Sequence, residues 1–427
     1  MKKLILLFSL FLLAPPFLAT ADTRTVQETE NQNQYAEKEA LISSTVQIQK
    51  FVAEYRGLEF LKDIPKKIQS KKETEEFLIK RIGEEFSREE IDAAERLLKR
   101  LALIPEDYDY YNSMIELMTE QLAGMYDYKD QFLAIAAWLP IELQEPILAH
   151  ELAHALQDQH YGLENYLSPD TENDDRALAL SSLVEGDATL VGFAYAMQPL
   201  GQDVTSVPDY VQVLEQQSAL MEATLPLFAS APEYVKETLL FSYTYGTEFV
   251  KDFLVEYGWE GIEKAYRNPP ETSEQILHYE KYLSSPDLPQ DAESRAGSHF
   301  GDPSMNGSLI CTNVLGEFTT YLMLREFLDE ETARKGADGW DGDIVNLLEL
   351  EGGQGKEVLQ MTFCWDSREE AIEFRRSFEK YLVNRFRTAQ TKAAGREELL
   401  SAIMEERNIV LTPEDSTVYI SMAFPGE

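Results

Sequence analysis

The chain has 427 residues, 44% of them hydrophobic, with 76 acidic against 38 basic side chains and a net charge of −38 at pH 7. This length buries a large core and divides into two or three subdomains. The charge excludes nucleic acid and anionic membrane as partners, and its dispersal along the chain argues for solubility rather than disorder.

Met1 to Ala21 reads as an export signal. Lys2 and Lys3 form its charged start, Leu4 to Leu13 its apolar stretch, and Ala19-Thr20-Ala21 a small-residue cleavage site. The stretch is too short to span a bilayer and Pro15-Pro16 interrupts it. Cleavage is expected after Ala21, which places the mature protein outside the cytoplasm, in the periplasm or beyond. No cysteine stands directly after that site, so a lipid anchor there is not expected, and no later segment reads as membrane-spanning, so neither is insertion after signal removal. Residues 22–33 form a polar, flexible N-terminus. A helical N-terminal region follows over 34–105. It includes Arg56-Gly57-Leu58, a short strand near Ile64 to Ile68, and a helix opened by the capping box Ser87 and Glu90.

Ala123 to Tyr128 and Phe132 to Ala137 flank Lys129-Asp130, a hairpin signal. A helix over 140–160 comes next, with Pro140 at its start and an apolar stripe of Ile141, Leu148, Leu152, Ala155 and Leu156. It carries His150-Glu151-Leu152-Ala153-His154. On a helix, positions i and i+4 lie ~40° apart in azimuth and ~6 Å apart along the axis, so both imidazoles leave one face. Two neutral imidazoles so placed can bind one Zn²⁺ at ~2.0–2.1 Å. Glu151 stands beside them to take a proton from water activated by the metal. Histidine pairs also occur in core helices as hydrogen-bonded groups, so the metal reading needs a third protein ligand.

His160 and Glu185 compete for that place. His160 has the spacing of HExxHxxGxxH enzymes, but Gln157 stands where their helix-breaking glycine would be. On a continued helix His160 is ~120° round from His154 and ~9 Å along, out of reach. Glu185 lies in an apolar helical run of Leu178, Leu180, Leu183, Val184, Leu190, Val191 and Phe193. A carboxylate in such a run calls for a partner, and Gly186 permits close packing on the histidine helix. Glu185 is therefore the favoured third ligand, with His160 either supporting a ligand or ending the helix. Asp187, ~200° round from Glu185, points away from the same metal and reads as a support for a ligand or as a structural residue.

Residues 209–266 read as helical, with Tyr243, Tyr245 and Gly246 in an aromatic run, and a Pro-rich turn at 268–280 carries His278. Residues 281–305 read as loop. The C-terminal portion alternates a helix over 312–330, strands near 343–350 and 357–365, a helix over 367–387 and strands near 408–411 and 417–423. Asp338, Asp341 and Asp343 lack EF-hand spacing and read as a turn rather than a Ca²⁺ site. Cys311 and Cys364 are an even pair, expected to form one disulfide in an oxidising compartment; the other reading is two buried thiols.

Arg56-Gly57-Leu58, Gly124-Met125-Tyr126-Asp127, His150 through His160, Glu185-Gly186-Asp187-Ala188, Thr272 through His278 and Gly339-Trp340-Asp341-Gly342-Asp343 occur in that order. The set resembles gluzincin-type HExxH zinc metallopeptidases, in particular an exported bacterial group with the motifs HELxHALQDQH, EGDA, STEQILHPEKY and GWxGD. The likeness spans about residues 50–390. It departs at Tyr279, where the group has proline. It also departs at Thr189, where better-studied gluzincins place an acid that holds an imidazole. The resemblance implies an α+β, mainly α-helical fold. A zincin-like core with a small sheet would occupy 106–300 and a C-terminal α/β portion 301–427. It implies His150, His154 and Glu185 as zinc ligands, Glu151 as general base, and a peptide or protein substrate. A further donor to the oxyanion is expected, His278 first and then Tyr245 or Tyr243. Two rivals stand beside this reading: a catalytically silent, metal-bound interaction module, and a zinc hydrolase of a non-protein amide. Pocket shape rather than motif separates the last from a peptidase.

Overall fold

The computed structural model describes residues 33–427 apart from 123, 137–140, 168–171, 284–286, 302–306, 351–354, 388–395, 408 and 426–427. The expected export signal, the polar segment after it and Pro140 lie outside the described residues. The fold is α+β and mainly α-helical. Its first half runs α1 (Asn33–Arg56), β1 (Lys66–Gln69), α2 (Lys71–Glu85), α3 (Arg88–Arg100), α4 (Tyr110–Gln121), β2 (Gly124–Asp127), β3 (Phe132–Ala136), α5 (Ile141–Tyr161), α6 (Glu164–Leu167) and α7 (Asp174–Met197). Next come α8 (Tyr210–Thr224), α9 (Pro226–Ser230), α10 (Glu233–Arg267), α11 (Ser273–Leu277), α12 (Tyr279–Leu283) and α13 (Ala292–Phe300). The remainder is β4 (Ser308–Asn313), α14 (Gly316–Arg325), α15 (Glu330–Ala337), β5 (Trp340–Glu349), β6 (Glu357–Trp365), α16 (Arg368–Phe386), α17 (Arg396–Glu406), β7 (Val410–Glu414) and β8 (Thr417–Phe424).

Two sheets form. The first has the order β1-β3-β2, with β1 parallel and β2 antiparallel to β3, so β2 lies at an edge beside α5. The expected hairpin is present, its turn held by Arg81, whose guanidinium reaches Asp127 at 2.8 Å and Asp130 at 3.0 Å. Gln131 in that turn adopts a positive φ of 52°. The second sheet is antiparallel with the order β4-β5-β6-β8-β7. The capping box of Ser87 and Glu90 opens α3 as its sequence requires, and Ser70 with Glu73 does the same for α2.

Packing is organised around α7. By length and composition Asp174–Leu200 could cross a bilayer, contrary to the reading of the sequence, yet 94% of its apolar window is buried inside the protein. An all-round apolar helix needs neighbours on every side, and α5 and α10 are its main ones. α7 meets α10 at two glycines. A Cβ on Gly186 would stand 2.2 Å from the carbonyl oxygen of Gly246, and one on Gly246 would stand 2.4 Å from that of Ser182. The backbones therefore touch, and Ser181 and Ser242 hydroxyls bond across the same seam at 2.6 Å.

Three expectations are corrected. Residues 281–305 contain the end of α12 and all of α13, because Asp291 caps a short helix that buries Ala292 and Ala296. Strand β4 and helix α17 were not anticipated. Cys311 and Cys364 are free. They lie on β4 and β6, which flank β5; two strand spacings, ~10 Å, exceed the ~7 Å limit between bridged Cα atoms.

Gly186→Ala should cost about 1–3 kcal/mol, because α7 and α10 must separate to admit one methyl group. The urea midpoint measures this, and a variant as stable as the parent would show that the two backbones do not meet there.

Candidate metal centre

α5 carries both histidines through its middle, ending where Gly162 takes a positive φ of 72°. His150 Nε2 and His154 Nε2 stand 2.9 Å apart. Glu185 Oε2, from α7, lies 3.2 Å from the first and 3.3 Å from the second. Donors held 2.0–2.1 Å from one tetrahedral ion stand roughly 3.3 Å from each other, so this triangle has the size a zinc site requires. Glu185 Oε2 is buried, and the two ring nitrogens are the polar atoms that face it among the described residues. Three donor atoms thus share one buried point. His160 is elsewhere: its Nε2 lies 2.8 Å from the Glu59 carbonyl oxygen at the end of α5.

The electrostatics favour positive charge at this point. Burial opposes a charged His154, but the Glu185 carboxylate outweighs it and raises the imidazole to about 9. Burial likewise opposes a charged Glu185, and the two histidines outweigh it and lower the carboxyl to about 2. Without metal a proton on His154 supplies the positive charge. A divalent ion held by the same three atoms would replace it.

Glu151 is 1% exposed. Its Oε2 accepts from the Tyr126 amide of β2 at 2.6 Å, while Oε1 is buried without a hydrogen-bond partner among the described residues. The edge strand thus fixes the acid and leaves one oxygen available.

The partner of His154 is Gln157, which sequence reading treated only as a missing glycine. Gln157 Oε1 lies 2.9 Å from His154 Nδ1, and its Nε2 donates to Asp187 Oδ2 at 3.0 Å and to the Val184 carbonyl at 3.1 Å. Asp187 is fully buried and paired with Arg56, 2.9 Å from Nε, and accepts from Tyr266 Oη at 3.0 Å. A line Arg56–Asp187–Gln157–His154 therefore sets one imidazole ring, and an amide does what Thr189 does not. The signal was available: after a metal-binding histidine, only a side chain with both a donor and an acceptor can join an imidazole to a carboxylate. Residues that follow fasten the tail of α5. Asp158 accepts from Tyr126 Oη at 2.9 Å, and Gln159 bonds the backbone of Leu61 and Lys62.

Of the three expected oxyanion donors, His278 and Tyr245 are not gathered here. His278 Nε2 lies 3.0 Å from Glu317 Oε1, in a different cluster. Tyr245 packs on Phe241 and Phe318. Tyr243, two residues earlier and ~200° round the helix, is the tyrosine that reaches the histidines, its ring stacked 6.2 Å from that of His150.

Residues 308–427, the span from β4 to the C-terminus, match a family described as a domain of unknown function, DUF8575. The metal centre lies outside that span. No curated protein and no solved structure matches the chain.

Gln157→Ala should weaken zinc binding by about 10–100-fold, whereas His160→Ala should leave it unchanged. Competition with a chelator measures both, and equal affinities for parent and Gln157→Ala would remove the amide from the account.

Proposed function

We propose that the chain is an exported zinc-dependent metallopeptidase with a zincin-like core. The observation that carries this reading is the convergence of His150, His154 and Glu185 within 3.3 Å of one another beside Glu151. The export part rests on the sequence of residues 1–21. Zinc held by the three side chains would polarise the scissile carbonyl and make water acidic enough to attack near neutral pH.

The remaining chemistry belongs to the chain. Glu151 Oε1 takes a proton from the attacking water and passes it to the departing amine, so water and amide become acid and amine. The Tyr126 amide holds the other carboxylate oxygen throughout, which keeps the acid from swinging away. The line from Arg56 to His154 fixes the ring that must not move. Tyr243 takes the place of His278 and Tyr245 as candidate donor to the oxyanion, because its ring lies against a ligand.

The enclosure of the site favours a second reading. His150 is 0% and Glu151 1% exposed, as befits a metal-bound interaction module that cleaves nothing. Metal analysis with a mixed peptide library separates the two. Glu151→Gln should keep its zinc while hydrolysis falls by about 10²–10⁴-fold, and Glu185→Ala should lose the zinc. A parent that holds zinc and cleaves no peptide would leave the module reading in place; zinc retained by Glu185→Ala would end the ligand assignment.

A further inference from the structure

His278, set aside from the metal centre, belongs to a cluster of its own. His278, Glu317 and Asp338 each offer a ligand atom, and these atoms all lie within 4.8 Å of one another. We propose that the three bind a second divalent cation, of the transition-metal kind that accepts imidazole and carboxylate together.

Glu317 is the centre of the case. Its side chain is 10% exposed, Oε1 faces His278 at 3.0 Å, and Oε2 is buried with no hydrogen-bond partner among the described residues. A carboxylate oxygen removed from water and left unmatched is a costly arrangement that a cation relieves. Donor atoms around one such ion stand roughly 3–4.4 Å apart, given bonds of 2.0–2.2 Å. The His278–Glu317 edge already meets this, and Asp338, exposed at the end of α15, closes the rest by rotation.

The backbone holds all three donors in place. Thr272 caps α11, and His278 is the residue that ends it. Asp343 accepts from the amides of Leu315 and Gly316 at 2.8 Å each, which fixes the start of α14 beside Glu317. Trp340 Nε1 donates to the same carboxylate at 2.9 Å, which fixes the chain just past Asp338. Two motifs that the zinc centre leaves unexplained, Thr272 through His278 and Gly339 through Asp343, thereby meet at one point.

The neighbouring acids are already served. Lys281 Nζ reaches Glu274 at 2.6 Å, Asp366 at 2.7 Å and Asp287 at 3.3 Å, and Gln290 bonds Asp341. Asp287, Asp341 and Asp366 also lie close enough to one another to hold an ion, and replacing His278 separates the two places. One nitrogen and two oxygen donors suit Zn²⁺ or Mn²⁺, whereas Ca²⁺ takes oxygen alone. The bound ion would cross-link the segment after α11 to α14 and α15. This site stands independently of the peptidase reading.

The test uses the purified chain with His150 and His154 both changed to Ala, loaded with Zn²⁺ and passed through gel filtration. It should retain one zinc per chain, and adding His278→Ala should remove it with no change in circular dichroism. If the double variant does not fold, the parent and His278→Asn are compared instead, and two zinc ions should fall to one. A double variant without zinc, zinc that survives replacement of His278, or displacement by equimolar Ca²⁺ would overturn the site. One zinc in the parent, lost with His278→Ala yet kept by the double variant, would uphold it and remove the peptidase centre.

Discussion

A carboxylate taken out of water has to be met by a compensating partner, and two of the four buried acids of α7 stand on either side of a glycine. Successive helix positions turn by ~100°, so Glu185, Gly186 and Asp187 each address a different neighbour. Glu185 turns to the imidazoles of α5. Gly186 lies against the backbone of α10. Asp187 turns to Arg56 at the end of α1. Three helices are thereby placed by three consecutive residues, and the metal triangle is one corner of that arrangement. The balance is local: Arg56 answers Asp187, and a proton or a metal ion answers Glu185.

The two ends of the chain are joined by similar means. Glu357, at the start of β6, is nearly buried and pairs with Arg96 and Arg100 of α3. Tyr381 Oη donates to the Leu101 carbonyl at 3.1 Å and Arg385 to that of Arg100 at 2.9 Å. The C-terminal sheet thus presses on the N-terminal helices through arginines that satisfy buried acid and open carbonyls, which are costly to leave unmet. In a chain with twice as many acids as bases, these part-buried arginines mark where distant segments are tied.

Sequence made the short-range features legible and left the long-range ones hidden. The histidine pair, the hairpin and the capping box of Ser87 are set by spacings of a few residues, and each appears where the pattern put it. Glu185 could be preferred to His160 because helical geometry alone places His160 out of reach. Arg56 could not be assigned its role, since its partner lies 131 positions away. Tyr243 and Tyr245 differ only in rotation of α10. Gly246 could have decided between them: it faces α7, Tyr243 at i−3 shares its side, and Tyr245 at i−1 turns ~100° from it. The cysteine pair misled because an even count says nothing about which strands carry the thiols. Helix α13 was hidden because its apolar face is two alanines wide.

The amide of Tyr126 is spent on Glu151 and not on a neighbouring strand. The placing of the Glu151 carboxylate is thereby geared to the alignment of the hairpin, and a slip of β2 by one position would present the opposite face of the ribbon and carry the anchor off the acid. The reverse bend around Gln131, with its left-handed backbone, sets that alignment. A lesion at this outlying corner, remote from the histidine pair, would be transmitted along four residues of ribbon to the Glu151 carboxylate.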